Sequence, residues 1–549
     1  MFGSHPFSRS SFWLKGAVAA LLAMLANFLL FQTFPWGAVL GGFAAAWIVG
    51  LILSRSGMLR DRRALPALVA AIGFAAVMVE RPGLLVWLMF GLSLTIAALS
   101  ARVRNGEPAW RWAQRLLVHA VIAGVGPILD AVRLSRLRRK RPTRVSPVAV
   151  IRVAALPVIG GLVFLLLFAR ANPLIAEALG AASVPTPSGE TIARLLGCGL
   201  VAVMVWTTLR PRWHRKLVAL PSLGARTLPG VSTASVTLSL VVFNALFALQ
   251  NGLDIAFLWS GAPLPGALTL ADYAHRGAYP LIATALLAGL FVLVVFRPGS
   301  EATGRPLVRG LVVLWVAQNM VLVASSILRT ADYIEGYALT RFRIVAMIWM
   351  VMVGIGLLLI CWRMLRDLPA HWLIDANVKV VLVVLAGLSV VDLGAVAAAW
   401  NVRHAREVDG TGAVLDLGYL RDIGQPALVS LVELEQTTRD PSLRDRVAAV
   451  RREVLIATRR DQGGWRGWNW RRERRLARVT ALAAERPLFT PRPGPRNWDG
   501  SLYAPPAPES PVAPAPMPAP VPAPVTTNGA PVPPDALTIR PPLTSAPGV

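Results

Sequence analysis

Arg329-Thr330-Ala331-Asp332-Tyr333-Ile334-Glu335-Gly336-Tyr337 stands between two apolar runs, 308–328 and 343–362, each long enough to cross a bilayer. A second polar, aromatic run, Ala271-Asp272-Tyr273-Ala274-His275-Arg276-Gly277-Ala278-Tyr279-Pro280, precedes another apolar stretch, and both contain Ala-Asp-Tyr. Charges crowded at the mouths of apolar helices are costly unless they sit among headgroups, pair with one another or line a wet cavity. The stretch therefore predicts an all-α, polytopic transmembrane helix bundle, and it supplies the first candidate site.

Composition agrees. Of 549 residues, 55% are hydrophobic and only 15% charged, against about a quarter charged in soluble domains. The net charge of +27 does not point to nucleic acid, because the arginines gather in short loops between apolar runs and in the C-terminal part, as membrane topology and anionic headgroups require. Cys198 and Cys361 lie within apolar runs without metal-type or redox-type spacing. A Walker loop, an HExxH motif and a zinc-type Cys/His cluster are all missing from the sequence. No catalytic residue, metal or cofactor is predicted.

Counted at about twenty residues per crossing, the apolar runs near 16–32, 35–53, 65–80, 83–101, 148–168, 192–209, 234–258, 279–296, 308–328, 343–362 and 380–400 predict eleven spans. The run after Arg9 and Lys15 lacks a small-x-small cleavage site and reads as an uncleaved first helix. About 29 lysines and arginines fall in alternate connections and about 7 in the others, which under the positive-inside rule places the N-terminus in the cytoplasm and the C-terminus in the periplasm of a bacterial inner membrane. Both Ala-Asp-Tyr runs then face outward. In the second, Tyr333, Tyr337 and Arg341 stand at i, i+4 and i+8, predicting one stripe on an interfacial helix, with Arg329 in reach of Asp332 or Tyr333.

Three regions follow. Residues 1–400 form the transmembrane domain, with an inner amphipathic and basic connection at 102–147. Within it Arg136, Arg138, Arg139, Lys140 and Arg141 are suited to anionic lipid. Residues 401–486 read as a small helical, Arg/Trp-rich module able to hold an envelope partner; Trp465, Trp468 and Trp470 alternate with arginines in a pattern suited to headgroups. Residues 487–549, rich in Pro-Ala and Pro-Val steps, read as a disordered tail.

The chain resembles the bacterial multi-pass membrane proteins grouped as DUF4153 and DUF4173, a family without an established activity. The resemblance rests on Asn27-Phe28-Leu29-Leu30-Phe31 with Pro35 and Gly37, on Arg63-Ala64-Leu65 leading to Glu80, on Asp272-Tyr273 with Arg276-Gly277, and on Tyr333-Ile334 through Tyr337-Ala338-Leu339-Thr340-Arg341. Asp416-Leu417, Tyr419-Leu420, Pro426-Ala427-Leu428 and the Trp465–Arg471 run complete it. Asn27 stands where an acidic residue is common in such proteins. The resemblance implies polytopic architecture and an exported C-terminal module, and no reaction.

The candidate outer-face site comprises Asp254, Asp272, Tyr273, His275, Arg276, Arg329, Asp332, Tyr333, Glu335, Tyr337 and Arg341. It reads either as a mixed-charge lining for a proton or anion or as an interfacial turn held by its own salt bridges. Asp392, inside the final apolar run, reads either as an intramembrane relay or as a carboxylate paired with an outer-face arginine. Three function classes stay open: a transporter or channel, an envelope scaffold acting through 401–486, and an intramembrane enzyme working on lipid-linked substrates.

Overall fold

A computed structural model describes residues 9–31, 36–130 apart from 102, 104, 105 and 128, scattered positions between 157 and 177, 188–211, 232–260, 287 and 305–503. Described helices are α1 (Arg9–Leu30), α2 (Val39–Ser54), α3 (Leu65–Glu80), α4 (Leu84–Ser100), α5 (Ala109–Ala123), α6 (Gly189–Leu209) and α7 (Thr233–Asp254), continued by a π-helical turn at Ile255–Trp259. Then come α8 (Pro306–Tyr337), α9 (Arg341–Leu365), α10 (Ala370–Val390), α11 (Leu393–Arg403), α12 (Leu417–Ile423), α13 (Leu428–Thr437), α14 (Pro441–Gln462) and α15 (Trp470–Glu485). Among the described residues β pairing is limited to one bridge, Arg496 with Leu502.

The first four helices and α6 pack around one buried core. Phe43, Trp47, Trp87 and Phe90 form its aromatic centre, and the Trp47 indole donates to Thr208 Oγ1 at 3.0 Å, tying α2 to α6. Gly41 lets α2 approach α3 so closely that a Cβ would lie 2.4 Å from the Val79 side chain. A second core gathers Val236, Leu240, Val312, Trp315 and Leu357 from α7, α8 and α9. Outward faces stay apolar: Leu53, Val69, Leu195, Leu238 and Val383 are all exposed. A belt of that size is tolerated only in lipid, and helices satisfy their own backbone there.

The count of eleven spans is corrected. Among the described residues six helices are long and apolar enough to cross: Phe12–Leu30, Gly189–Leu209, Thr233–Trp259, Pro306–Tyr337, Arg341–Leu365 and Ala370–Val390. Three more expected spans form shorter apolar helices, α2, α3 and α4, of 16, 16 and 17 residues, about 25 Å each at 1.5 Å per residue. The runs 148–168 and 279–296 lie outside the described residues, but for scattered positions. The last run, 380–400, is not one helix. The crossing starts at Ala370, with the carboxylate of Asp375 accepting from Ala109 N at 2.6 Å at the head of α5, and it stops at Val390, where Asp392 caps α11.

The bundle has two chemically different ends. At one, Arg55 donates to Ala98 O at 2.8 Å, Arg63 to Val103 O at 2.6 Å, and Arg309 pairs with Asp367 at 3.0 Å. The other carries the C-terminal helices. Their core is Leu417, Leu420, Leu428, Leu431 and Val447, around a buried ion pair in which Arg451 Nε lies 2.8 Å from Glu435 Oε2. Packing continues past residue 486. Phe489 N donates to Glu435 Oε1 at 2.6 Å, Arg496 pairs with Asp445 at 2.8 Å, Arg446 with Asp499 at 2.8 Å, and Trp498 lies over Gly418, where a Cβ would be 2.1 Å away. Bundle and module thus form one compact unit reaching Leu502. The Pro-rich residues 504–549 lie outside the described residues.

Candidate functional site

Asp254 closes α7 with its side chain fully buried, and Arg329 of α8 meets it in an ion pair that is itself buried. The expectation that Arg329 would reach Asp332 or Tyr333 is therefore corrected: a helix neighbour in the first shell of lipid leaves a carboxylate half-solvated, whereas Asp254 offers a desolvated partner across the helix interface. Gln250 Nε2 supports Asp254 Oδ1 at 2.9 Å. The pair heads a polar ladder between the two helices. Gln318 donates to Asn244 Oδ1 at 2.8 Å, Asn244 to Leu311 O at 3.0 Å, Asn251 to Gln318 O at 3.2 Å, and the Trp259 indole to Ser325 Oγ at 3.0 Å. Amides and hydroxyls bonded across helices hold membrane helices in register, and the π-helical turn after Asp254 carries Trp259 to Ser325.

The polar run 329–337 is the end of α8, a single helix of 32 residues, about 48 Å long and so longer than the hydrocarbon core. Tyr333 and Tyr337 stack with centroids 4.6 Å apart, as i, i+4 spacing requires. Arg341 does not extend the stripe. The helix ends at Ala338, whose φ of 64° breaks it, Thr340 caps α9, and Arg343 lies over Tyr333 instead, 4.4 Å from the ring centroid. Arg341 turns toward the module, its N donating to Tyr419 Oη at 2.8 Å and its Nη2 to Ile423 O at 3.1 Å. Asp332 is half-buried on α8. Glu335 lines a cleft of about 540 Å³ with Trp400, Asn401, His404, Asp409 and Asp416. Asn401 ties the turn above it by accepting from Leu339 N at 2.7 Å and donating to Leu339 O at 2.9 Å. Asp272, Tyr273, His275 and Arg276 lie outside the described residues, as do Arg136, Arg138, Arg139, Lys140 and Arg141.

Asp392 is not embedded within a span. Its Oδ1 accepts from Gly394 N at 3.1 Å and Ala395 N at 3.3 Å, capping α11, while Oδ2 receives Arg475 Nη2 at 2.6 Å. Burial pushes its pKa up, but the hydrogen bond and charge of Arg475, joined by Arg81, outweigh burial and hold the carboxyl below its ordinary value. Around this pair the sequence reading missed several residues. Arg471 donates to Glu80 Oε1 at 3.2 Å and to Val390 O at 2.8 Å, Arg474 also pairs with Glu80, Arg475 also reaches Gln425, and Arg81 bonds Val391 O. Gly394 leaves room for the Arg341 guanidinium, which a Cβ would meet at 2.7 Å. A charged pair closing an apolar run, Glu80-Arg81, was the available signal.

The tryptophan-arginine run docks onto the bundle. Gly37 N donates to Arg466 O at 2.7 Å and Ala38 N to Trp468 O at 2.6 Å, so module carbonyls satisfy donors that the head of α2 would otherwise leave open. Arg466 lies over the rings of Phe28 and Trp465. Trp468 is half-buried in this junction, with its indole donating to Glu473 at 3.2 Å. Trp465 and Trp470 remain exposed.

No curated protein and no solved structure matches the chain. Residues 64–434 match the family described as a domain of unknown function, DUF4153. That match begins at the residue before α3 and ends inside α13, so it takes in the ladder, the cleft and the carboxylates Glu80 and Asp392 but not their arginine partners on α15, and the chain belongs to the DUF4153 family.

Proposed function

We propose that this is a bacterial inner-membrane, multi-pass scaffold, N-terminus in the cytoplasm, whose helical module at 401–486 stands on the periplasmic face and recognises an envelope partner there. Among the described residues Arg55, Arg63 and Arg309 lie at the end of the bundle opposite the module, which supports that orientation under the positive-inside rule. The carrying observation is the junction itself: Arg475 on Asp392, Arg471 and Arg474 on Glu80, and Gly37 beneath Trp468 fix the module on three helix ends. A fixed, solvent-facing module with an adjoining cleft is what presentation to a partner requires. The paired state of Asp392 weighs against a relay through it.

A photo-crosslinking residue at exposed Val414, on the cleft rim, tests this in cells. A discrete protein adduct that disappears with Trp400→Ala, and is not formed from lipid-facing Val383, is the expected result. If neither Val414 nor other exposed module positions yield an adduct, the scaffold reading fails.

The buried Asp254–Arg329 pair favours a second reading, a conduction path along α7 and α8. Proteoliposomes carrying Asp254→Asn would then show altered ion or proton flux at unchanged protein level.

A further inference from the structure

Five guanidinium groups gather where α3, α10 and α15 meet, namely Arg81, Arg341, Arg471, Arg474 and Arg475, around the two carboxylates of Glu80 and Asp392. The described residues therefore leave three positive charges without a counter-charge. Burial weakens the hold of Arg81 on its proton, and despite the opposing pull of Asp392 the nearby Arg471, Arg341 and Arg475 act in the same direction. Such crowding is unfavourable in a partly desolvated place unless an anion joins it.

The surroundings say what kind of anion. Leu84, the first residue of α4, is 75% exposed, and Val390 and Val391, whose carbonyls Arg471 and Arg81 hold, are exposed too. Trp470 stands exposed one turn before Arg474, which is itself 59% exposed. Apolar side chains on the bundle side, an indole at the boundary and arginines above them repeat the layers of a phospholipid: acyl chains, interface and phosphate. Guanidinium forks match phosphate oxygens in geometry.

We propose that Arg81, Arg471 and Arg474 bind the headgroup phosphate of one anionic phospholipid in the module-side leaflet, its acyl chains lying along Leu84, Val390 and Val391, so that the lipid becomes part of the bundle–module junction. The inference needs the bundle to span a membrane and does not depend on the scaffold reading.

The full chain, purified in a zwitterionic detergent, is incubated with phosphatidylglycerol or phosphatidylcholine, and retained lipid is counted by native mass spectrometry. Phosphatidylglycerol is expected to be retained about ten-fold over phosphatidylcholine. Arg474→Gln, with its fold checked by circular dichroism, should cut retention about five-fold, and Arg81→Gln with Arg474→Gln should abolish the preference. Arg460→Gln, in the module and 80% exposed, should change nothing. Equal retention of the two lipids, or a double variant that keeps the preference with an unchanged circular dichroism spectrum, overturns the proposal. So does displacement of the lipid by millimolar inorganic phosphate, which would mark a site for small anions.

Discussion

Arg475 and Asp392 are 83 residues apart in sequence and meet at 2.6 Å, joining the last helix of the module to the break at which the chain leaves the bundle. Both side chains are about nine-tenths buried, so neither ion has water to fall back on. Replacing Asp392 by Ala removes the cap of α11 and strands Arg475, and should lower stability by about 3 kcal/mol. Asp392→Asn keeps the capping oxygen and should recover about 1 kcal/mol of that loss. Thermal unfolding of the purified protein followed by circular dichroism ranks the three.

The same carboxyl gives a pH dependence. Its folded pKa lies below the ordinary value because Arg475 and Arg81 outweigh burial, so the unfolded chain takes up its proton first as pH falls. The contribution is complete above about pH 4–5 and is lost as pH drops through the depressed folded value. Protease cleavage between bundle and module, assayed from pH 6 to pH 3 with an acid-tolerant protease, should rise at the acid end and rise earlier in a Glu80→Gln variant. A flat profile would mean that the ion pairs do not hold the junction.

Gly37 has no room for a side chain: a Cβ would lie 2.2 Å from Trp468 O. Gly37→Ala should break the two backbone bonds from Gly37 and Ala38 to the module, costing about 2–3 kcal/mol. Gly42→Ala, with nothing within 4 Å of its Cβ, is the control and should be neutral. A cysteine pair across the junction, Phe28→Cys with Trp465→Cys, where the two native rings meet, should be joined by a bifunctional thiol reagent in the parent and poorly with Gly37→Ala.

Apolar runs were legible because hydrophobicity is local, and so was the stacking of Tyr333 on Tyr337, which needs only helical spacing. The breaks were harder. Val390-Val391-Asp392-Leu393-Gly394 keeps its apolar content across the end of α10, and only the capping preference of aspartate marks it. Thr340 carries the same signal before α9, but the i, i+4, i+8 spacing of Tyr333, Tyr337 and Arg341 runs straight through it. Partners 75 or 83 residues away, as for Asp254 and Asp392, leave no trace in spacing. The docking of Trp468 on Gly37 likewise depends on two loops that only the fold brings together.

The Asp254–Arg329 pair separates a lock from a conduit. Asp254→Leu alone takes away the buried carboxylate that Arg329 pairs with and should cost about 3–5 kcal/mol, visible as a fall in unfolding temperature and in membrane yield. Removing both charges, Asp254→Leu with Arg329→Met, replaces an ion pair by apolar groups of similar volume, and such replacements are often neutral or stabilising. The double variant should therefore regain most of the lost stability, because the amide bonds of Asn244, Asn251 and Gln318 still register α7 against α8. If the pair only locks the helices, the Val414 crosslink survives in the double variant. A conduit needs the charges themselves, so it would lose flux in the double variant although the protein is as stable as the parent. Stability and flux must then part company, and failure of the double variant to recover stability would show that the ladder depends on the ion pair at its head.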